Sequence, residues 1–299
     1  MTFGAAAYAM WGLFPLYWPL LRPAGDVEIL AHRMVWSLVF VAAVLTVSGR
    51  RGRTGWAQLR TVLGDRRRLG LLAGAAALIT VNWGTYIYGV NHGHVVETAL
   101  GYFTGPLVSV LVGVVLLRER LRPWQWVAVG LGAAAVVVLT VGYGRPPWIA
   151  LLLAFSFGIY GLLKKLAATG AIESLAVETG ITAAPALIYL LILGGTGAGT
   201  FTGHGLSHAL LLIASGAVTA IPLLAFGAAA TRIPLSMVGL LQYIAPVIQF
   251  LLGILVFDEH MPVERWIGFT MVWLGLAVLT WDGLRHSRRA RLPTPAPGG

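Results

Sequence analysis

The chain has 299 residues, of which 58% are apolar and only 11% are charged, and its mean hydropathy is +0.81. A water-soluble domain of this length could not bury so much apolar surface, whereas a helical bundle in lipid has no need to bury it. The absence of cysteine excludes a disulfide framework and thiolate metal sites. The formal charge of +10 would suit nucleic acid in a soluble protein, so the positions of the basic residues decide its meaning.

Long apolar segments follow one another along the whole chain. A bilayer core of about 30 Å needs about 20 apolar residues per helix, and by that measure the sequence predicts ten spans. The first begins at Phe3 and is long enough to span the membrane. Because no signal-peptide cleavage pattern accompanies it, we expect it to remain in the protein. The predicted spans are 3–21, 28–48, 69–90, 96–117, 123–141, 147–166, 173–194, 208–230, 235–257 and 264–282.

The distribution of Lys and Arg predicts the orientation of these spans. If the N-terminus is cytoplasmic, seventeen basic residues lie on the inner side and only three on the outer side. We therefore expect a multi-pass protein of the bacterial inner membrane with both termini cytoplasmic, whose charge faces anionic lipid and not nucleic acid. The inner residues are seven Arg in 49–68, three in 118–122, Lys164, Lys165, Arg232 and four Arg in the tail; the outer ones are Arg22, Arg145 and Arg265.

An internal repeat appears when the chain is shifted by 140 residues. Residues 100–126 then lie over 240–266 without a gap, and a proline, a glycine, a glutamate and a tryptophan coincide. Each repeat unit holds five helices, and an odd number means that the second copy enters the membrane from the opposite side. We therefore predict an all-α fold of two inverted five-helix repeats, residues 1–145 and 146–284, followed by a basic, disordered cytoplasmic tail, 285–299.

Several long segments carry a family resemblance. They include EILAHRMVWS (28–37), NHGHVVETALGYF (91–103), SFGIYGLLKK (156–165) and GLLQYIAPVIQFLLG (239–253). In these the chain resembles the drug/metabolite transporter superfamily, and within it the EamA-domain, RarD-like proteins called chloramphenicol-sensitive. The resemblance implies ten spans, cytoplasmic termini and a small organic metabolite or drug as cargo, and it defines no substrate.

Ionisable residues inside predicted spans are costly unless they face a wet cavity or a partner. Arg33 lies about a turn and a half below the outer surface, and Glu97 begins the fourth span on the same side. We expect these two residues to form an outer gate; a pair that only anchors two helix ends is the alternative. A metal at the neighbouring histidines lacks a cysteine or a second carboxylate to support it. The remaining members of this predicted cluster are His32, Asn91, His92 and His94.

Glu178 occupies the repeat position that matches Arg33, so inversion places it towards the cytoplasmic side. Lys164 and Lys165, at the inner end of the sixth span, are the expected partners in a static salt bridge. Glu178 is also a candidate proton carrier, and the proton is the candidate coupling ion.

Matching polar stripes on the fourth and ninth spans predict two walls of a central site. Proline frees a backbone carbonyl and kinks a helix, and the flanking side chains offer hydrogen bonds to cargo. A close seam of small residues is the alternative, although two glutamines favour a cavity. The stripes are Tyr102, Pro106, Ser109 and Gly113, and Gln242, Pro246, Gln249 and Gly253. The other residues predicted to line this cavity are Trp11, Trp36, Asn82, Trp83, Tyr86, Tyr160 and Tyr243.

Motifs for other activities are missing from the sequence. There is no G-x-x-x-x-G-K-[ST] for an ATP-driven pump, and no G-x-S-x-G or H-E-x-x-H for an intramembrane enzyme. We expect a secondary carrier that acts as monomer or homodimer, needs no cofactor or metal, and works by alternating access to a central cavity. An intramembrane enzyme and a non-transporting scaffold are the alternatives.

Overall fold

The computed structural model describes residues 2–50, 56–118, 120–230 and 241–289, and all regular secondary structure in these ranges is helical. Within them, eight helices are long and apolar enough to cross a membrane, and each begins within three residues of a predicted span. They are α3 (Asp26–Arg50), α5 (Arg66–Asn91), α6 (Val95–Leu117), α7 (Pro123–Tyr143), α8 (Trp148–Ala167), α9 (Ala171–Gly195), α10 (Gly205–Ala230) and α12 (Val263–Arg289). The shorter helices are α1 (Thr2–Gly12), α2 (Phe14–Tyr17), α4 (Trp56–Gly64) and α11 (Ile244–Leu255).

The first predicted span, 3–21, is not one continuous helix. It consists of α1, α2 and a 3-10 turn over Trp18–Leu21, with a break at Leu13. Pro15 and Pro19 each stand at the start of the element that follows a break, where the missing N–H costs nothing. Proline therefore divides a segment that hydropathy alone presents as uniform.

The ninth span and the tail also differ from their predicted bounds. Residues 235–240 of the predicted span 235–257 lie outside the described residues, and α11 covers its second half. The predicted tail begins at 285, but α12 continues to Arg289, and residues 290–299 lie outside the described part of the chain. A helix can extend past the bilayer because its backbone hydrogen bonds need no lipid.

The two ends of the helical bundle are named here from the predicted orientation. The outer end holds the links 22–25, 92–94, 144–147, 196–204 and 256–262, and the inner end is the opposite one.

Helices from both halves of the chain pack against each other throughout the bundle. Among the described residues the most extensive pairs are α7–α12, α5–α8, α6–α8, α3–α9, α3–α10, α1–α10, α6–α11, α1–α11 and α5–α9. One apolar cluster joins α6, α7, α11 and α12 around Phe103, Phe250 and Phe269. Another joins α3, α5, α8 and α10 around Trp18 and Leu212. Neither half therefore encloses a core alone.

The crossing of α3 and α10 depends on a glycine. A side chain at Gly216 would collide with the Trp36 backbone, so the two helices meet backbone to backbone at this point. The Ser37 hydroxyl also reaches the Gly216 carbonyl at 3.5 Å. Thr219 lies one turn further along α10 and is thereby brought within reach of α3.

Candidate transport site and helix-end ion pairs

Asn82 is the centre of a buried polar group that joins α5, α6 and α8. Its amide nitrogen donates to the Leu153 carbonyl and to the Ser156 hydroxyl, both at 2.9 Å. The Tyr102 hydroxyl donates to the Asn82 carbonyl oxygen at 3.2 Å, and the Tyr102 and Tyr86 rings meet edge to face. The structure thus brings together three predicted site residues and adds Ser156. Nothing in the sequence distinguishes Ser156 from the other serines within predicted spans.

Arg33 lies in the interior of the bundle, with only 3% of its surface exposed. Its Nε donates to the Thr219 hydroxyl on α10 at 2.7 Å. The guanidinium lies 3.9 Å from the centre of the Trp83 ring, 5.1 Å from that of Trp18 and 5.8 Å from that of Phe14. Three rings and one hydroxyl therefore surround this cation.

The predicted ion pair between Arg33 and Glu97 is wrong. The Glu97 carboxylate accepts hydrogen bonds from Arg145 at 3.0 Å and from the backbone N–H of Ile149 at 3.1 Å. Glu97 lies in the first turn of α6, at the outer end, where the N-terminus of α8 offers free amides. Arg33 is about 10 Å along α3 from its first residue, so it reaches towards the bundle interior instead.

His32 belongs to a second outer group, centred on Glu28. The Glu28 carboxylate accepts from the backbone N–H of Thr200 at 2.7 Å and from its hydroxyl at 3.0 Å. That hydroxyl contacts His208 Nε2 at 2.8 Å, and His32 Nε2 lies 4.0 Å from Glu28. The His32 ring stacks on Phe201. This group joins the start of α3 to the link before α10.

Asn91 and His92 form a third group, with Asp26. Asn91 donates to Asp26 at 2.7 Å, and His92 Nδ1 lies 3.5 Å from the same carboxylate. His94 precedes α6, and burial lowers the pKa of its imidazole below the usual value. The predicted single cluster is therefore three separate ones. Among the described residues, no three His, Asp or Glu side chains converge as a metal site requires.

Glu178 pairs with Lys164 at the inner end, as the sequence predicts. Lys164 Nζ lies 2.7 Å from Glu178 Oε1, and the Ser174 hydroxyl donates to the same oxygen at 2.7 Å. The Tyr160 hydroxyl donates to Oε2 at 3.1 Å. Tyr160, predicted to line the central cavity, is thus part of this inner group, and Lys165 is exposed.

The polar stripes on α6 and α11 serve different purposes. Gln249 is buried and donates to the Trp11 carbonyl at 3.1 Å, whereas the Ser109 hydroxyl donates to the Gly105 carbonyl of its own helix. Pro106 lies inside α6. Pro246 lies in the first turn of α11, directly after the turn at residues 242–243. Because the preceding residues 231–240 lie outside the described part of the chain, the kink at Pro246 stays a prediction.

The aromatic residues predicted for the cavity are dispersed. Trp11 packs edge to face against Tyr8, and the Trp36 indole N–H donates to His32 Nδ1 at 3.3 Å. Gln242 and Tyr243 precede α11 and are half-buried. Trp83 lies against the Arg33 guanidinium, and Tyr102 contacts Asn82.

A groove of about 440 Å³ lies between α6 and α12 towards the inner end. Of the predicted cavity residues, Tyr243 is among those that line this groove. The remaining lining residues are Phe103, Trp273, Leu276, Ala277, Thr280, Trp281 and Leu284. The groove is apolar and separate from the Asn82 and Arg33 groups.

Glu259 lies at the outer end. In the internal repeat it aligns with Glu119, and the sequence alone assigned it no functional role. Its carboxylate accepts from the backbone N–H groups of Val95 and Val96, at the N-terminus of α6, the latter at 3.1 Å. Burial raises the pKa of Glu259 to about 7, although the two amides favour the ionised form. The carboxylate therefore caps a helix of the other half of the chain.

Comparisons with known proteins agree with this architecture. The EamA-like transporter family matches twice, over residues 1–141 and 146–281. The chain is 59% identical to protein RarD of Streptomyces exfoliatus, covering 99% of this chain and 93% of that protein. It is 42% identical to the uncharacterized transporter YojE of Bacillus subtilis, covering 97% and 96%, and 38% identical to protein RarD of Escherichia coli, covering 95% and 94%. A solved crystal structure has the same fold, with a TM-score of 0.60 and 20% identity over 93% of this chain and 95% of that one.

Proposed function

Because this chain belongs to the EamA-like transporter family, in the RarD-like group, we propose that it carries a small organic solute across the bacterial inner membrane by alternating access. The solute site lies between two inverted repeats, residues 1–145 and 146–284, and both termini face the cytoplasm. The family is one of transporters, and the Bacillus subtilis relative is named as a transporter. The chain is a membrane transporter; the carrier mechanism is the proposal.

Helix packing supports the repeat. Exchanging α1, α3, α5, α6 and α7 with α8, α9, α10, α11 and α12, in that order, turns each extensive helix pair of the described residues into another such pair. Thus α3–α9, α6–α11 and α7–α12 map onto themselves. The pair α5–α8 exchanges with α1–α10, α6–α8 with α1–α11, and α3–α10 with α5–α9. Two-fold equivalence of this kind is the plan of inverted-repeat carriers.

The observation that carries the proposal is a row of buried polar contacts between the two halves. Asn82 of the first half bonds to Ser156 of the second, and Arg33 bonds to Thr219. Gln249 of the second half bonds to the Trp11 carbonyl of the first. Polar groups are costly in a membrane interior and concentrate where a solute passes. A seam between rigid halves is where alternating access exposes them.

Contacts at both ends close the seam in this structure, and transport requires them to break in turn. At the outer end, Glu259 caps α6, Glu97 binds the start of α8 and Glu28 binds Thr200, each across the two halves. At the inner end Arg122 pairs with Asp282 at 2.7 Å. Each is a polar contact that water can replace once the halves separate.

Cysteine accessibility tests the proposed site, since the native chain contains no cysteine. Cysteines introduced singly at Asn82, Gln242 and Gln249 should react with thiol reagents from one side of the membrane or the other as the carrier turns over. Thr80→Cys is the matched control on α5. Protection of all three site cysteines from both sides in every condition would end the proposal.

Solute movement itself is measured by comparing metabolites of cells that lack and overproduce the protein, followed by uptake into proteoliposomes. A solute that accumulates in the first experiment should cross the liposome membrane in the second. Liposomes without protein are the control. Chemical conversion of the solute without movement would support the enzyme alternative and contradict a carrier.

A further inference from the structure

Arg33 is a buried cation that has no carboxylate partner among the described residues. Arginine stays protonated in proteins, and an unpaired charge away from water is strongly unfavourable. Its Nη1 is inaccessible to solvent and has no hydrogen-bond partner among the described residues. Its Nε has the Thr219 hydroxyl, which is a neutral acceptor. Such a group needs an anion that none of the described residues supplies.

The acidic residues are engaged elsewhere. Of the eleven in the chain, ten are described, and none of these ten forms an ion pair with Arg33. The buried carboxylates nearest the membrane interior are already bound, since Glu28 binds Thr200, Glu97 binds Arg145 and Glu178 binds Lys164. Moving Glu97 or Glu178 towards Arg33 would break its ion pair with Arg145 or Lys164.

Further donors face the same interior. Tyr86 and Tyr102 lie within electrostatic range of the Arg33 guanidinium. The Tyr86 hydroxyl and the Trp18 indole N–H are buried without a hydrogen-bond partner among the described residues. The Gln249 side chain lies next to the Tyr86 hydroxyl, and its Oε1, an acceptor, also has no hydrogen-bond partner among the described residues. Buried unsatisfied polar atoms are rare in folded proteins, and several around one cation indicate a missing ligand.

We propose that Arg33 is the anion-recognition residue of the transport site, and that the solute is a small organic monocarboxylate with an apolar or aromatic body. This inference rests on the proposed carrier function. The planar fork of the guanidinium matches a carboxylate, and the Tyr86 hydroxyl and Trp18 N–H supply further donors for its lone pairs. The rings of Trp83, Trp18 and Phe14 pack on the guanidinium and make its surroundings apolar, which favours a solute with an apolar body.

One cation in a low-dielectric interior selects for one negative charge. A phosphate monoester carries about −1.5 to −2 charges at pH 7. It would therefore bring more negative charge into the site than Arg33 neutralises. An uncharged isostere leaves the guanidinium unpaired. Because the Arg33–Thr219 bond joins the two halves, a carboxylate that takes the place of the Thr219 hydroxyl also loosens the seam between them. Binding of the solute is thereby linked to opening.

Thermal unfolding of the full chain in detergent tests this, because a ligand of the folded state raises Tm with its concentration. The probes are benzoate and indole-3-acetate, their uncharged counterparts benzamide and indole-3-acetamide, and phenyl phosphate, all at constant ionic strength. We expect the carboxylates to raise Tm and the amides and phenyl phosphate not to. Equal responses to acid and amide, a response to phenyl phosphate alone, or no response to either carboxylate would overturn the inference.

Variants assign the response to the residue. Arg33→Gln should abolish the carboxylate shift, Arg33→Lys should retain a weaker one, and Arg60→Gln, an exposed arginine on α4, should leave it unchanged. If Arg33→Gln fails to fold, Arg33→Lys replaces it as the test. A loss of carboxylate affinity of at least tenfold in Arg33→Lys then supports the assignment, and a smaller loss contradicts it. A full response in Arg33→Gln contradicts the assignment. Carboxylate binding without movement into proteoliposomes would contradict the carrier function and leave the anion site standing. Uptake of a neutral solute that is unaffected by Arg33→Gln would contradict the anion site and leave the carrier function standing.

Discussion

At the scale of single residues, the pair of Glu178 and Lys164 shows how a charge is kept inside a membrane protein. Glu178 is buried, and three donors share its two oxygens. Lys164 keeps 27% of its side chain exposed, so it connects the carboxylate to the inner surface. Such an arrangement favours a static salt bridge, because removing either charge leaves the other poorly solvated.

Glu178→Gln should therefore destabilise the protein without changing the pH dependence of transport. We expect a loss of about 2 kcal/mol, below the value for fully buried pairs because Lys164 is partly solvated. Thermal unfolding measures the loss of stability, and uptake measured between about pH 5.5 and about pH 8 gives the pH dependence of transport. Lys165→Gln, the exposed neighbour, is the control and should change neither. Native stability together with abolished pH dependence would instead make Glu178 the proton carrier.

At the scale of elements, the α3–α10 crossing places the Arg33–Thr219 bond. Gly216→Ala should destabilise by about 1–3 kcal/mol, because its added methyl group meets the Trp36 backbone, which cannot rotate away. Gly130 in α7 has open space around it. Gly130→Ala should be neutral or stabilise by up to about 1 kcal/mol, since alanine favours the helix. Thermal unfolding compares the two variants, and equal effects would contradict this account.

The cap that Glu259 provides for α6 makes the outer end sensitive to pH. Below about pH 4.5 its carboxyl is protonated in both folded and unfolded chains. As pH rises from there to about 7, the unfolded chain releases the proton first, so the stability of the folded state falls. His94, with its lowered pKa, acts in the opposite sense, since the unfolded chain takes up its proton first as pH falls. Arg265 and Glu97 also face Glu259.

Glu259→Gln should remove the fall in folded-state stability between about pH 4.5 and 7 and leave the contribution of His94. Relative to the native chain, the variant's Tm should rise steadily as pH increases from about 4.5 to 7. Glu264→Gln, exposed in the first turn of α12, is the control and should run parallel to the native chain. Parallel profiles for Glu259→Gln as well would show that the cap does not titrate in this range.

At the scale of the whole molecule, orientation is the property that the charge distribution predicts. Gly203→Cys lies in the outer link before α10, and Arg60→Cys lies on α4 at the inner end. We expect a membrane-impermeant maleimide to label the first in intact cells and the second only after lysis, because basic links stay in the cytoplasm. The opposite pattern would invert the bundle and exchange the two gates.

The amino-acid sequence alone determined where the eight long apolar helices of the described residues lie, since hydropathy over contiguous residues is a local property. It also predicted the pairing of Glu178 with Lys164, whose helices are neighbours in the chain. Only the tertiary structure decided that Glu97 meets Arg145, that Glu259 caps α6 and that Arg33 meets Thr219. Those partners lie far apart in sequence, and the rotation of each helix about its axis, set by contacts such as Gly216 against Trp36, selects which side chains meet.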